Sequence, residues 1–76
     1  MEQMQRTIHI QPRPKLRGLI IESGYQTVGG FSYAAQVDEV TARLVIEGKL
    51  IPSKKFIAKT AEACRTTRKK VVEALY

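Results

Sequence analysis

Apolar and polar residues alternate through Arg6-Thr7-Ile8-His9-Ile10-Gln11, the pattern of a half-buried β-strand. Pro12-Arg13-Pro14 ends the alternation, because both prolines lack a donor and bias the residue before them toward extended geometry; a stiff crossing is expected there, not helix. Gly18-Leu19-Ile20-Ile21-Glu22, closed by Ser23-Gly24, reads as a second short strand, and Gln26-Thr27-Val28, before Gly29-Gly30, as a third. Two periods compete between Phe31 and Ile46. Val37, Val40 and Leu44 have the i, i+3, i+7 spacing of a helical stripe, whereas Thr41-Ala42-Arg43-Leu44-Val45-Ile46 is rich in β-branched residues and runs into Glu47-Gly48-Lys49. Strand is the expectation for 41–46, and Ala34 to Glu39 fits either period.

From Ile51 the pattern becomes helical. Pro52-Ser53 places a capping hydroxyl ahead of Lys54-Lys55-Phe56-Ile57-Ala58-Lys59-Thr60-Ala61-Glu62-Ala63-Cys64, in which Ile57, Ala61 and Cys64 form a stripe that Phe56 widens. Arg65-Thr66-Thr67 interrupts it, and either threonine can cap a second helix, Arg68 to Tyr76, whose Val71, Val72 and Leu75 face the first. The expected fold is therefore α+β: short N-terminal β-strands followed by a C-terminal two-helix, helix-turn-helix-like unit. It forms a single small domain over 1–76, with a β-rich segment 1–50 and a helical pair 51–76.

Length restricts how such a fold can be supported. A 76-residue chain makes one domain, and one that small buries only about 60% of its unfolded surface. Cys64 has no second cysteine with which to form a disulfide or a zinc site, so a homodimer or a place in a larger assembly is the expected support. Met1-Glu2-Gln3-Met4-Gln5-Arg6 lacks the basic start and apolar run of a signal peptide, and no stretch approaches the ~18 apolar residues of a membrane span. A soluble, cytoplasmic chain without membrane contact is expected.

Charge points to the partner. Residues 53–76 carry seven cations against two anions, whereas residues 1–52 carry six against five. A cationic surface confined to one part of a chain is the footprint of a densely anionic partner, nucleic acid above all. The first turns of both expected helices, Lys54-Lys55 and Arg68-Lys69-Lys70, add cations where the helix dipole is already positive. That placement is unfavourable in isolation and favourable around a phosphate. The candidate DNA contacts are Lys54, Lys55, Lys59, Arg65, Thr66, Thr67, Arg68, Lys69 and Lys70.

Thr41-Ala42-Arg43-Leu44-Val45, Gly48-Lys49, Phe56-Ile57-Ala58-Lys59-Thr60-Ala61-Glu62, Cys64-Arg65-Thr66-Thr67-Arg68 and Val71-Val72-Glu73-Ala74-Leu75 resemble the N-terminal half of HU/IHF-type histone-like proteins. The variant type found in Bacteroidetes, which sets a strand ahead of the first helix, is the nearest in pattern. The resemblance implies a dimeric, nucleoid-associated body that contacts DNA mainly through its backbone. The saddle sheet and minor-groove arms of that family have no counterpart among these residues, so wedge-driven kinking is not implied. A second resemblance is to the winged helix-turn-helix of GntR-type repressors, carried by Glu47-Gly48-Lys49-Leu50-Ile51-Pro52-Ser53, Ile57-Ala58 and Arg65-Thr66-Thr67. It implies a second helix in the major groove led by Arg65, Thr66, Thr67 and Arg68, although it needs extra residues before Val71 and lacks the wing. A third reading is a small structural subunit docking in a larger, viral or cellular, assembly.

Enzymatic chemistry has little to build on. His9 lies between Ile8 and Ile10, Cys64 lies on an apolar stripe, and the sequence sets no base or carboxylate beside either. No catalytic residue, metal ligand or cofactor is expected. Gly24, Gly29 and Gly30 lack the Lys-Ser or Lys-Thr that a phosphate loop requires. Tyr25, Phe31 and Tyr33 could stack on single-stranded bases, but burial in a small core is the stronger expectation.

Overall fold

A computed structural model describes residues 12–76, and all the regular structure in them is helical. Five helices follow one another: α1 (Pro14–Glu22), α2 (Val28–Ala35), α3 (Glu39–Ile46), α4 (Lys54–Ala63) and α5 (Arg68–Ala74). Their principal contacts close into a ring, α1 on α3, α3 on α2, α2 on α4, α4 on α5, and α5 back on α1. Leu16, Ile20, Phe31, Ala35, Ala42, Val45, Ile46, Phe56 and Cys64 fill the middle. No helix among the described residues is long and apolar enough to cross a membrane.

The α+β expectation is thus overturned. No strand occurs among the described residues, and the segment read as β-rich contributes three helices. The alternation at Arg6–Gln11, with His9, lies outside the described residues.

The run Gly18–Glu22 belongs to α1, where Leu16 and Ile20 share one buried face, one helical turn apart, while Ile21 stays exposed. Pro14 starts this helix: at the first helical position its missing N–H is no loss and its fixed φ is already helical. Gln26-Thr27-Val28 is the entry to α2, whose cap is Thr27, its hydroxyl accepting from the Gly30 amide at 3.0 Å. Thr41–Ile46 is the body of α3. Its buried positions are Ala42, Val45 and Ile46, and Val40, part of the sequence's alternative stripe, points to solvent.

Caps and packing outweigh the β-branched composition of α3. The Asp38 carboxylate accepts from the Thr41 amide at 3.0 Å, and Glu39 pairs with Arg43 one turn on at 2.6 Å. Arg13 closes the far end, its Nη1 donating to the Val45 carbonyl at 2.6 Å and to the Leu50 carbonyl at 3.1 Å.

All four positive-φ residues described lie just past helix ends: Gly24 after α1, Gln36 after α2, Gly48 after α3 and Arg65 after α4. At each, its own amide reaches back three residues and the next amide reaches back five, which satisfies carbonyls that the helix end would leave bare. Gly24 and Gly48, which the sequence pattern assigns to strand ends, are helix stops.

Candidate nucleic-acid interface

The basic pair α4–α5 is positioned by its caps. Ser53 Oγ accepts from the Phe56 amide at 3.1 Å, and Phe56, Thr60 and Ala61 form the buried face of α4. This leaves Lys54 and Lys55 exposed on the first turn. Of the two threonines in the turn, Thr67 is the cap, its Oγ1 accepting from the Lys70 amide at 3.2 Å. Arg65 takes a left-handed conformation, φ 54°, which lets the chain reverse within a few residues. Arg65, Thr67, Arg68, Lys69 and Lys70 are exposed, and Thr66 is half-buried. Val71 fills the inward side of α5, so the helical repeat places Lys69 and Glu73 together on the outward side.

The cations do not make one continuous surface. Lys54 and Lys55 start α4, whereas Arg65, Arg68, Lys69 and Lys70 follow its end; the helical residues 56–63, about 12 Å of axis, lie between the two groups. Neither group is neutralised internally. The ion pairs among the described residues are Glu39–Arg43 and Glu47–Lys49, and both lie outside it.

Lys59 stands apart from both groups. It is half-buried, and its ammonium donates to the Gln36 carbonyl at 3.1 Å, in the turn between α2 and α3. Lys55 and Lys59 share with Asp38, Thr41 and Ser53 a shallow cleft of about 220 Å³.

That upstream turn repeats the downstream one. Gln36 and Arg65 are both left-handed, with φ of 59° and 54°, and the backbone and capping bonds around one have counterparts 29 positions along. Gln36 N to Tyr33 O matches Arg65 N to Glu62 O, and Val37 N to Ser32 O matches Thr66 N to Ala61 O. The Asp38 cap on the Thr41 amide matches the Thr67 cap on the Lys70 amide. Burial follows the same offset: Phe31 and Thr60, Ser32 and Ala61, Ala35 and Cys64, and Ala42 and Val71 are buried in pairs. Tyr33 and Glu62, Glu39 and Arg68, and Val40 and Lys69 are exposed in pairs.

The fold thus contains two short helix-turn-helix units, α2–α3 and α4–α5, of which the sequence reading found only the second. Their surface chemistry differs. The second helix is led by Asp38 and Glu39 upstream, and by Thr67, Arg68, Lys69 and Lys70 downstream. A sequence signal for the first unit exists in Asp38 followed by the Glu39 and Arg43 spacing, a cap and an ion pair that suit a helix start.

The remaining candidates have structural roles. Cys64 is buried at the end of α4. Tyr25 lies edge-on to Phe31, ring centroids 5.8 Å apart, and its hydroxyl donates to the Ala63 carbonyl at 2.8 Å. Phe31 is fully buried, so of the three aromatics only Tyr33 is open to solvent. Gly24 closes α1, while Gly29 and Gly30 lie in the first turn of α2. No group of three or more His, Cys, Asp or Glu side chains among the described residues is placed to hold a metal ion.

Comparison with family models, with curated proteins and with solved structures gave no match, so the two resemblances rest on the quoted residues alone and the chain is assigned to no family.

Proposed function

We propose that this chain is a non-enzymatic protein that binds duplex DNA through helix-turn-helix geometry, with phosphate contacts supplying most of the affinity. The observation that carries the reading is the pair of left-handed turns, each holding a second helix with its leading residues exposed. In DNA-binding units of this kind the second helix lies in the major groove and the first crosses the backbone. Lys54 and Lys55 supply phosphate contacts beside the upstream turn. Arg65, Arg68, Lys69 and Lys70 supply them at the downstream turn, with Thr66 and Thr67 shaping it. On α3, exposed Val40 and Arg43 are the side chains available for base edges, Val40 for a thymine methyl and Arg43 for guanine once it leaves Glu39.

Short turns and three helices ahead of α4 favour a helix-turn-helix regulator over the histone-like body, whose resemblance implied a strand in that region. A homodimer suits the same reading, because paired units bind half-sites about one helical turn of DNA apart.

The test is a fluorescence-anisotropy titration of random-sequence duplex at low salt, with the intact protein, Lys54→Glu/Lys55→Glu and Lys69→Glu/Lys70→Glu. Each double reversal is expected to weaken binding at least tenfold, about what losing two phosphate contacts does at moderate salt. Affinity at the level of the unaltered protein in both variants would remove the basis for the reading.

A further inference from the structure

The Lys59 ammonium, placed by sequence among the phosphate contacts, is engaged by the neighbouring turn at the protein surface. It donates to the carbonyl of Gln36, the left-handed residue between α2 and α3, at 3.1 Å. Resting on the DNA-binding reading above, we infer that Lys59 is a positioning residue, which holds the upstream helix-turn-helix turn in its DNA-competent shape and does not itself neutralise a phosphate.

A non-glycine residue in the left-handed region persists only where its surroundings over-determine it. At Gln36 the surroundings are the two backbone bonds from its own amide and from Val37, together with the Lys59 ammonium on its carbonyl. No side chain among the described residues donates to the corresponding Arg65 carbonyl, so the two turns, alike in backbone, differ in this support. Lys59 comes from α4, the first helix of the downstream unit, and α2 packs on α4. Its ammonium thereby fixes the upstream turn, and with it the direction in which α3 leaves, against the downstream unit. The cation also faces the carbonyl end of α2, where the helix dipole is negative.

Phosphate contact and positioning leave different signatures in salt. Removing a phosphate ligand lowers the log-log salt slope of binding by about 0.9, whereas removing a positioning group lowers affinity at every salt concentration and leaves the slope alone. The experiment measures duplex affinity across a salt series for the intact protein, Lys59→Met, Lys59→Arg and Lys55→Met, together with hydrogen exchange of the Val37 amide, which bonds to the Ser32 carbonyl at 3.0 Å. Lys59→Met is expected to bind about fivefold more weakly, the effect of one lost hydrogen bond, with an unchanged slope and faster Val37 exchange. Lys59→Arg is expected to restore both affinity and exchange, and Lys55→Met, on an exposed side chain, to lower the slope.

A slope reduced by about 0.9 in Lys59→Met would overturn the inference by making Lys59 a phosphate ligand. Unchanged affinity and exchange would overturn it equally. If the intact protein binds no duplex, the DNA reading fails; faster Val37 exchange in Lys59→Met would then still support the hold on the turn, and unchanged exchange would refute it.

Discussion

Gln36 and Arg65 adopt the same left-handed backbone at equivalent points of two helix-turn-helix units, with φ of 59° and 54°. Neither is glycine, although an L side chain in this region costs roughly 1–2 kcal/mol. Gln36→Gly and Arg65→Gly are each expected to raise stability by up to about 1 kcal/mol, the relief being partly offset by the freedom glycine adds to the unfolded chain. Urea unfolding midpoints check this, and a lower midpoint in both variants would show that the side chains themselves hold the turns.

Arg13 joins the start of α1 to the end of α3. Its amide donates to the Ile46 carbonyl at 2.8 Å, and its Nη1 reaches the Val45 and Leu50 carbonyls. Substitution by methionine keeps much of the apolar stem and removes the charge-assisted bonds, with an expected loss of about 1–2 kcal/mol. Chemical denaturation measures the loss, and exchange should quicken first at the amides near the end of α3.

Tyr25 separates two contributions in one side chain. Its ring packs edge-on against Phe31, and its hydroxyl bonds to the Ala63 carbonyl at 2.8 Å, which ties the approach to α2 to the end of α4. Tyr25→Phe retains the ring contact and is expected to cost about 1 kcal/mol, whereas Tyr25→Ala loses both and is expected to cost about 3 kcal/mol or more. Equal losses in the two variants would mean that the ring contact contributes nothing.

Phe31 is the largest fully buried side chain, set in the middle of the ring of helices. Phe31→Ala is expected to cost about 3–5 kcal/mol. That is most of the stability available to so small a domain, and the variant should be largely unfolded by circular dichroism at room temperature.

The C-terminal helices were legible because their signals are local. Ser53 and Thr67 cap where hydroxyls at those spacings should, and Phe56, Ala61 and Val71 are buried as the apolar spacing requires, whereas Val72, expected on the same face as Val71, is exposed. The upstream helices were misread because their apolar runs are short, and a run of four to six residues satisfies a strand and a helix equally. The deciding features were Pro14 as a first helical residue, Asp38 as a cap, and Gly24 and Gly48 as left-handed stops. Each of these also fits a turn between strands. The excess of cations was legible from composition, and its division into two groups follows from the length of α4. The engagement of Lys59 with Gln36, 23 positions away, depends on how α4 packs on α2, which no local pattern encodes.

Salt dependence of duplex binding by the intact protein tests the central claim most directly. If about five of the exposed lysines and arginines meet phosphates, the logarithm of the affinity should fall against the logarithm of salt with a slope of about −4 to −5. A flat dependence, or no duplex binding at low salt, would contradict the account.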